Sequence, residues 1–201
     1  MKRFFAAAWV GALLLGASFD AKAAIVWDES LDGDLSTLPG APTSLGSLAA
    51  GESEFLGTTV NDLVSVDRDY LTFTIAAGHS LTNIMLNDYQ APGDDVGFIG
   101  LYAGSTASTP PGVSPTLTEL LGGTHVDATA IGDIFPAIES LFGLDKFDRP
   151  LGPGDYTLLI QQTGVESTQY RIGLVTVPEP SPLGVLPFAF FGLVLARPRS
   201  R

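Results

Sequence analysis

The feature that most constrains this chain is a series of short segments that alternate apolar and polar residues, each closed by glycine or proline. Residues 69–75 are the plainest case. Leu71, Phe73 and Ile75 fall on one face, and Tyr70, Thr72 and Thr74 on the other. A period of two is that of a strand with one face in a core, and β-branched and aromatic residues suit it. Further strands are expected over 25–27, 44–48, 54–60, 80–87 and 97–103. In the last of these Phe98, Gly100 and Tyr102 oppose Ile99 and Leu101. Near the end of the domain, 155–162 places Tyr156, Leu158 and Ile160 inward, and 168–175 places Tyr170, Ile172 and Leu174 on one face. These last two segments, separated by the turn 163–166, are expected to pair antiparallel.

Residues 118–144 break the pattern. Ile131, Ile134, Ile138, Leu141 and Phe142 recur at helical spacing. Pro136 limits any helix to a short one, with Asp133 as its cap and the proline in its first turn. Seven to nine short strands with turn residues at nearly every break predict an all-β, antiparallel β-sandwich, jelly-roll-like, with one short helical insertion. A signal peptide and a C-terminal hydrophobic helix are expected to flank it.

Charge sorts along the chain. The net charge is −12, yet residues 24–182 hold four basic and twenty-one acidic groups, a net of −17. Such a domain is unsuited to nucleic acid, whose binding rests on neutralising phosphates. It suits solubility and cation binding. There is no cysteine, so neither disulfides nor thiolate chemistry is available, and the core must come from apolar packing.

Both termini read as targeting segments. Met1-Lys2-Arg3 is a basic start, 4–18 an apolar run, and Ala21-Lys22-Ala23 an A-x-A box, so signal peptidase is expected to cut before Ala24. The domain then spans 24–176, and 177–201 is a tail in three parts. Val177-Pro178-Glu179-Pro180 is a stiff polar tetrapeptide, 183–196 is an uncharged, mostly apolar run, and Arg197, Arg199 and Arg201 form a basic stop. The apolar run has 14 residues, a length of ~21 Å as a helix, against ~20 residues for a ~30 Å bilayer core. Flanking residues and snorkelling arginines extend it, and Pro187 interrupts it. The arginines fit a cytoplasmic flank.

The order of Pro178-Glu179-Pro180, apolar segment and terminal arginines resembles a PEP-CTERM sorting signal. The resemblance covers about an eighth of the chain. It implies recognition and cutting near the motif by an exosortase, a membrane protease-transpeptidase, and delivery of the cargo to the cell surface or extracellular matrix. Asp67-x-Asp69-Tyr70-x-x-Phe73-x-Ile75, then Leu151-x-Pro153-Gly154-x-Tyr156-x-Leu158-x-Ile160 and Tyr170-x-Ile172, resemble the bacterial pre-peptidase C-terminal domain. That likeness implies a secreted, accessory β-sandwich module without catalysis of its own.

The residues offer no catalytic set. His79 and His125 stand apart from one another and from any H-E-x-x-H. No G-x-S-x-G or phosphate-cradling glycine loop occurs. Calcium is the sharper expectation. Asp28-x-Ser30-x-Asp32-Gly33 matches the start of an EF-hand loop, but the twelfth position is Pro39 where a bidentate glutamate is required. A looser Ca²⁺ site is expected on Asp28, Asp32 and Asp34, or on Asp67, Asp69, Asp94 and Asp95. The functional reading is a non-catalytic surface or matrix protein. The alternatives are a carbohydrate- or ligand-binding module with an aromatic platform at Tyr89 and Tyr102, meeting extracellular polysaccharide, or a small hydrolase with two carboxylates ~5–9 Å apart.

Overall fold

The computed structural model describes residues 23–180 except Leu63, Asp94, 110–113 and Leu117. The residues before Ala23, where a signal peptide is expected, the apolar run 183–196 and the arginines at 197–201 lie outside the described residues.

Twelve strands and two short helices are assigned among the described residues. Sheet A contains β1 (Ala24–Asp28), β3 (Gly51–Val60), β12 (Ser167–Pro178), β5 (His79–Gln90) and β8 (Gly132–Asp133), in that order. Sheet B contains β2 (Thr43–Ser47), β4 (Arg68–Ile75), β11 (Gly154–Gln162), β6 (Gly97–Ala103) and β7 (Gly122–Val126). A separate hairpin pairs β9 (Ser140–Leu141) with β10 (Leu144–Asp145). The sheets pack face to face as a β-sandwich.

The long strands arise where alternation marks them. Leu71, Phe73 and Ile75 are buried against Phe55, Ile172 and Leu174 in one core between the sheets, joined by Ile99, Leu101, Leu158 and Ile160. β5 departs from strict alternation, since Leu81, Ile84 and Leu86 are all buried. A bulge beside Val175 and Thr176 shifts its register against β12 and turns Leu81 inward. The far face of sheet B is also covered. Tyr70, Phe98, Tyr102 and Leu159 form a second cluster with Ala107, Leu120 and Leu141.

Four expectations are corrected. The strands outnumber seven to nine, because residues 122–126 form a strand and three pieces of two residues pair as well. The sheets are mixed: β1 runs parallel to β3, and β2 parallel to β4. The segments 154–162 and 167–178 do not pair. β11 lies between β4 and β6, β12 between β3 and β5, and the turn joining them crosses from one sheet to the other. Each is a central strand with two longer-range partners, an outcome that local turn residues do not encode. Finally, a transmembrane helix does not stand. Among the described residues no helix is long and apolar enough to cross a membrane. The apolar run at 183–196 is short for a span and carries Pro187.

The helices are small. α1 (Glu29–Asp32) is a single turn after β1, and α2 (Phe135–Glu139) has proline in its first turn. Asp133 Oδ1 accepts the Phe135 N–H at 3.1 Å, so it serves the helix start as expected, although the N-cap position itself is Ile134. Phe135 and Ile138 anchor α2 in the main core.

Candidate metal centre

The site begins with the turn around α1. Asp28 caps the turn, its Oδ1 accepting from Ser30 N at 3.0 Å and Ser30 Oγ at 2.6 Å. Asp32 Oδ2 accepts the Asp28 N–H at 2.9 Å. Both side chains thus serve the local backbone, which is what aspartate does well at a helix start. Gly33 turns the chain at φ 95°, a left-handed value that favours glycine. Trp27 Nε1 donates to the Gly33 carbonyl at 3.1 Å and ties the turn to β1.

That turn aims Glu29 at the end of the sandwich. Its Oε1 accepts the Leu35 N–H at 3.1 Å, and its Oε2 accepts the Thr58 N–H at 2.6 Å. Asp69 arrives from β4. It shares a face with Leu71 and Phe73, so it points into the core and is 0% exposed. Tyr170, on β12 of the opposite sheet, donates its hydroxyl to Asp69 Oδ2 at 2.6 Å. Gly57 on β3 makes room, since a Cβ there would collide with the Tyr170 hydroxyl and sit 3.1 Å from Glu29 Cδ. Asp34 completes a triad: one oxygen each of Glu29, Asp34 and Asp69 lie within 4.8 Å of one another.

The electrostatics are one-sided. Burial pushes the Asp69 carboxyl up to about 9, against the lowering effect of the Tyr170 hydrogen bond and with Glu29, Asp67 and Asp34 adding to the rise. Burial also raises Glu29, opposed by its two backbone N–H partners. Asp67 rises through burial and then through the Asp34 charge. Tyr170 is pushed well above its ordinary value by burial and the adjacent Asp69. Asp69 Oδ1 is buried without a hydrogen-bond partner. Carboxylates at this spacing require a proton or a cation. Hard oxygen donors, a partnerless buried oxygen and contributions from three chain segments fit a divalent cation, so this triad, with Asp69 buried, Glu29 half-buried and Asp34 exposed, could coordinate one.

The triad takes one residue from each sequence-predicted set and one from neither. Asp34 came with Asp28 and Asp32, Asp69 with Asp67, Asp94 and Asp95, and Glu29 was missed. Asp67 is half-buried and close enough to influence Asp69 electrostatically. Asp94 lies outside the described residues. Asp95 faces a different cavity of about 170 Å³ together with Asp127 and Thr129. One signal for the site was available: alternation through Leu71 and Phe73 places Asp69 on the core face, where a lone carboxylate needs a partner.

Other expected features are also placed. Tyr89 and Tyr102 are 5% and 1% exposed, so they form no surface platform, because their rings fill the cores on the two faces of the sheets. His125 packs between Phe98 and Phe142, with ring centroids 5.4 Å from each. His79 lies opposite Pro178 in the ladder. The tetrapeptide at 177–180 joins the fold. Val177 pairs with Ser80, the Glu179 N–H donates to the Gly78 carbonyl at 2.8 Å, and Ser80 Oγ donates to Glu179 Oε1 at 2.9 Å. Of Ala21, Ala23 and Ala24, where signal cleavage is expected, the first lies outside the described residues and the last opens β1, opposite Ser53. No protein-family model matches the chain, and no curated protein matches it.

Proposed function

We propose that this protein is an exported, non-catalytic β-sandwich module of the cell surface or extracellular matrix, with Ca²⁺ bound by Glu29, Asp34 and Asp69. The observation that carries the reading is the triad itself. Its three carboxylates come from the N-terminal turn, the loop after it and β4, and Tyr170 links them to β12. A cation there ties the first residues of the mature chain to both sheets. Calcium suits the site better than magnesium, because an irregular oxygen set matches its flexible coordination.

The strand order β3-β12-β5-β8 facing β4-β11-β6-β7 supports a jelly roll, with β1 and β2 added at one edge. The triad itself does not read as the acid pair of a hydrolase. The triad oxygens lie within 4.8 Å of one another and Asp69 is fully buried, so no glycosidic bond fits between them. Delivery is assigned to the termini: signal peptidase removes 1–23, and an exosortase-type protease recognises the tail around Pro178-Glu179-Pro180.

Two experiments test the two halves of this reading. Calorimetric titration of the exported protein with Ca²⁺ gives saturable heat; absence of heat at millimolar calcium removes the metal. The intact mass of the protein from its native host, in membrane and medium fractions, begins at Ala24 and ends near Pro178 to Pro180. A secreted product retaining Arg201 removes the sorting.

A further inference from the structure

The outward face of sheet A carries a polar cleft of about 360 Å³. Its floor is made by residues that alternate with the core. Arg171 and Gln169 flank buried Tyr170 on β12, and Asp88 and Gln90 flank buried Tyr89 on β5. Asp28 and Glu29, from the N-terminal turn, form the wall nearest the triad.

Arg171 is the unusual member. Its Nε is buried and has no acceptor. Asp88 lies directly opposite it in the ladder, yet Asp88 Oδ2 takes the Gln90 amide at 2.7 Å instead. The other two arginines of the domain are engaged, Arg68 with Gln161 at 2.9 Å and Arg149 with Glu139 at 2.8 Å. That N–H is itself out of a ligand's reach, but the guanidinium lines the cleft with no acceptor among the described residues and can take one from a ligand there.

The cleft's chemistry narrows what can supply it. Asp28 and Asp88, the two lining carboxylates not assigned to the cation, outnumber the one guanidinium, so an anionic ligand meets net repulsion. β12 is paired on both sides, so Arg171 and Gln169 sit mid-sheet, away from an edge to which a peptide strand could add. What remains is a ligand that offers acceptors to Arg171 and Gln169 and donors to Asp88 and Asp28 at adjacent points. Vicinal hydroxyl groups do this, since each both donates and accepts.

We propose that this cleft is a binding site for a neutral saccharide, held by Arg171, Gln169, Asp88 and Gln90. The inference rests on the reading of the protein as a binding module. It names a face distinct from the buried tyrosines. With hydrogen bonds and no aromatic stacking, affinity for a single oligosaccharide is on the order of millimolar.

The test uses the exported protein with ¹⁵N-labelled arginine and glutamine. The Arg171 Nε–H and the Gln90 and Gln169 amide signals are followed during titration. The probes are neutral hexasaccharides of glucose, mannose and galactose in α and β linkage, with a hexagalacturonate as the charged control. Expected is a saturable shift of these signals by at least one neutral probe, a weaker shift by the uronate, and about tenfold weaker binding in Arg171→Ala and Asp88→Asn. The proposal is overturned if no neutral probe moves the Arg171 signal, if the uronate binds more tightly than every neutral probe, or if Arg171→Ala binds as the wild type does. Calcium separates this from the metal reading. If the metal reading fails, the saccharide shifts persist without any calcium-dependent heat; if the cleft fails, the heat persists without the shifts.

Discussion

Tyr170 on β12 donates its hydroxyl to Asp69 on β4 at 2.6 Å, and that bond joins the two sheets of the sandwich at the acidic end. Asp69 is 0% exposed and its other oxygen has no partner. The pair therefore marks where the fold accepts an unfavourable buried carboxylate and what it offers in return, a preformed ligand for a cation.

Removing the donor exposes the cost. Tyr170→Phe leaves both oxygens of Asp69 without a protein hydrogen bond. A loss of about 1–3 kcal/mol is expected for an unsatisfied buried polar group, read from urea unfolding in the presence of chelator. An unchanged midpoint would show that the bond contributes nothing to the cation-free fold.

The pH dependence of the cation-free protein follows from the same residue. The Asp69 carboxyl sits at about 9 in the folded state, through burial first and then the Glu29, Asp67 and Asp34 charges, and despite the Tyr170 hydrogen bond. Its unfolded value is near the ordinary 3.8. Between these values the folded chain holds a proton that the unfolded chain has lost, so stability falls as pH rises. Glu29 and Asp67 are raised too and act in the same direction. Urea midpoints in chelator are expected to fall from pH 5 to pH 9, and calcium is expected to flatten that slope. A midpoint that rises over this window contradicts the burial of Asp69.

A local defect in the small hairpin gives an independent check on its geometry. Phe142 and Gly143 link β9 and β10 with positive φ values of 51° and 82°. A two-residue turn of this kind favours asparagine and glycine at its centre, and a bulky residue there carries about 1–3 kcal/mol of strain. Phe142 is also more than half exposed. Phe142→Asn is expected to raise the thermal midpoint by a few degrees, on the order of 1 kcal/mol. A lowered midpoint would mean that the contact between Phe142 and His125 outweighs the strain.

The docking of Glu179 makes a prediction for the segment 177–180. Ser80 Oγ holds Glu179 Oε1, and Val177 and Pro178 complete the end of β12. Ser80→Ala is expected to speed amide exchange at Val177 and Glu179 without changing exchange at Ile172 or Leu174. Equal exchange in both proteins would show that the side-chain bond does not hold the motif to the sheet.

Much of the sandwich was legible in the sequence because alternation is a local signal. Spacing alone places Leu71, Phe73 and Ile75 inward and gathers Ile172 and Leu174 on one face. The partners were not legible. β11 and β12 adjoin in sequence and sit in different sheets, because each gains more from two distant neighbours than from one nearby. The site was half legible for the same reason. In the sequence the acidic residues of the N-terminal turn and those at 67, 69, 94 and 95 are separate clusters, and the fold joins Asp34 of one to Asp69 of the other. Glu29 was hidden because its role depends on Thr58 and Leu35 N–H groups that only the folded chain brings to it. Tyr89 and Tyr102 misled because a polar-tipped ring in a strand suits a buried position as well as an exposed one.

The central claim is that Glu29, Asp34 and Asp69 bind a divalent cation, and Trp27 is placed to report it. Its indole donates to the carbonyl of Gly33, the residue before Asp34, and it is the one tryptophan left once residues 1–23 are removed. The most direct measurement is a calcium titration of the protein lacking residues 1–23, following Trp27 fluorescence and the thermal midpoint together, beside Asp34→Asn and Glu29→Gln. A saturable fluorescence change is expected, with a rise of about 5–10 °C when calcium exceeds Kd roughly a hundredfold, and both responses are expected to be much reduced in each variant. A midpoint and fluorescence that do not move at 10 mM Ca²⁺ (on the order of a hundred times a Kd of 10⁻⁴ M), or that move equally in the variants, would contradict the account.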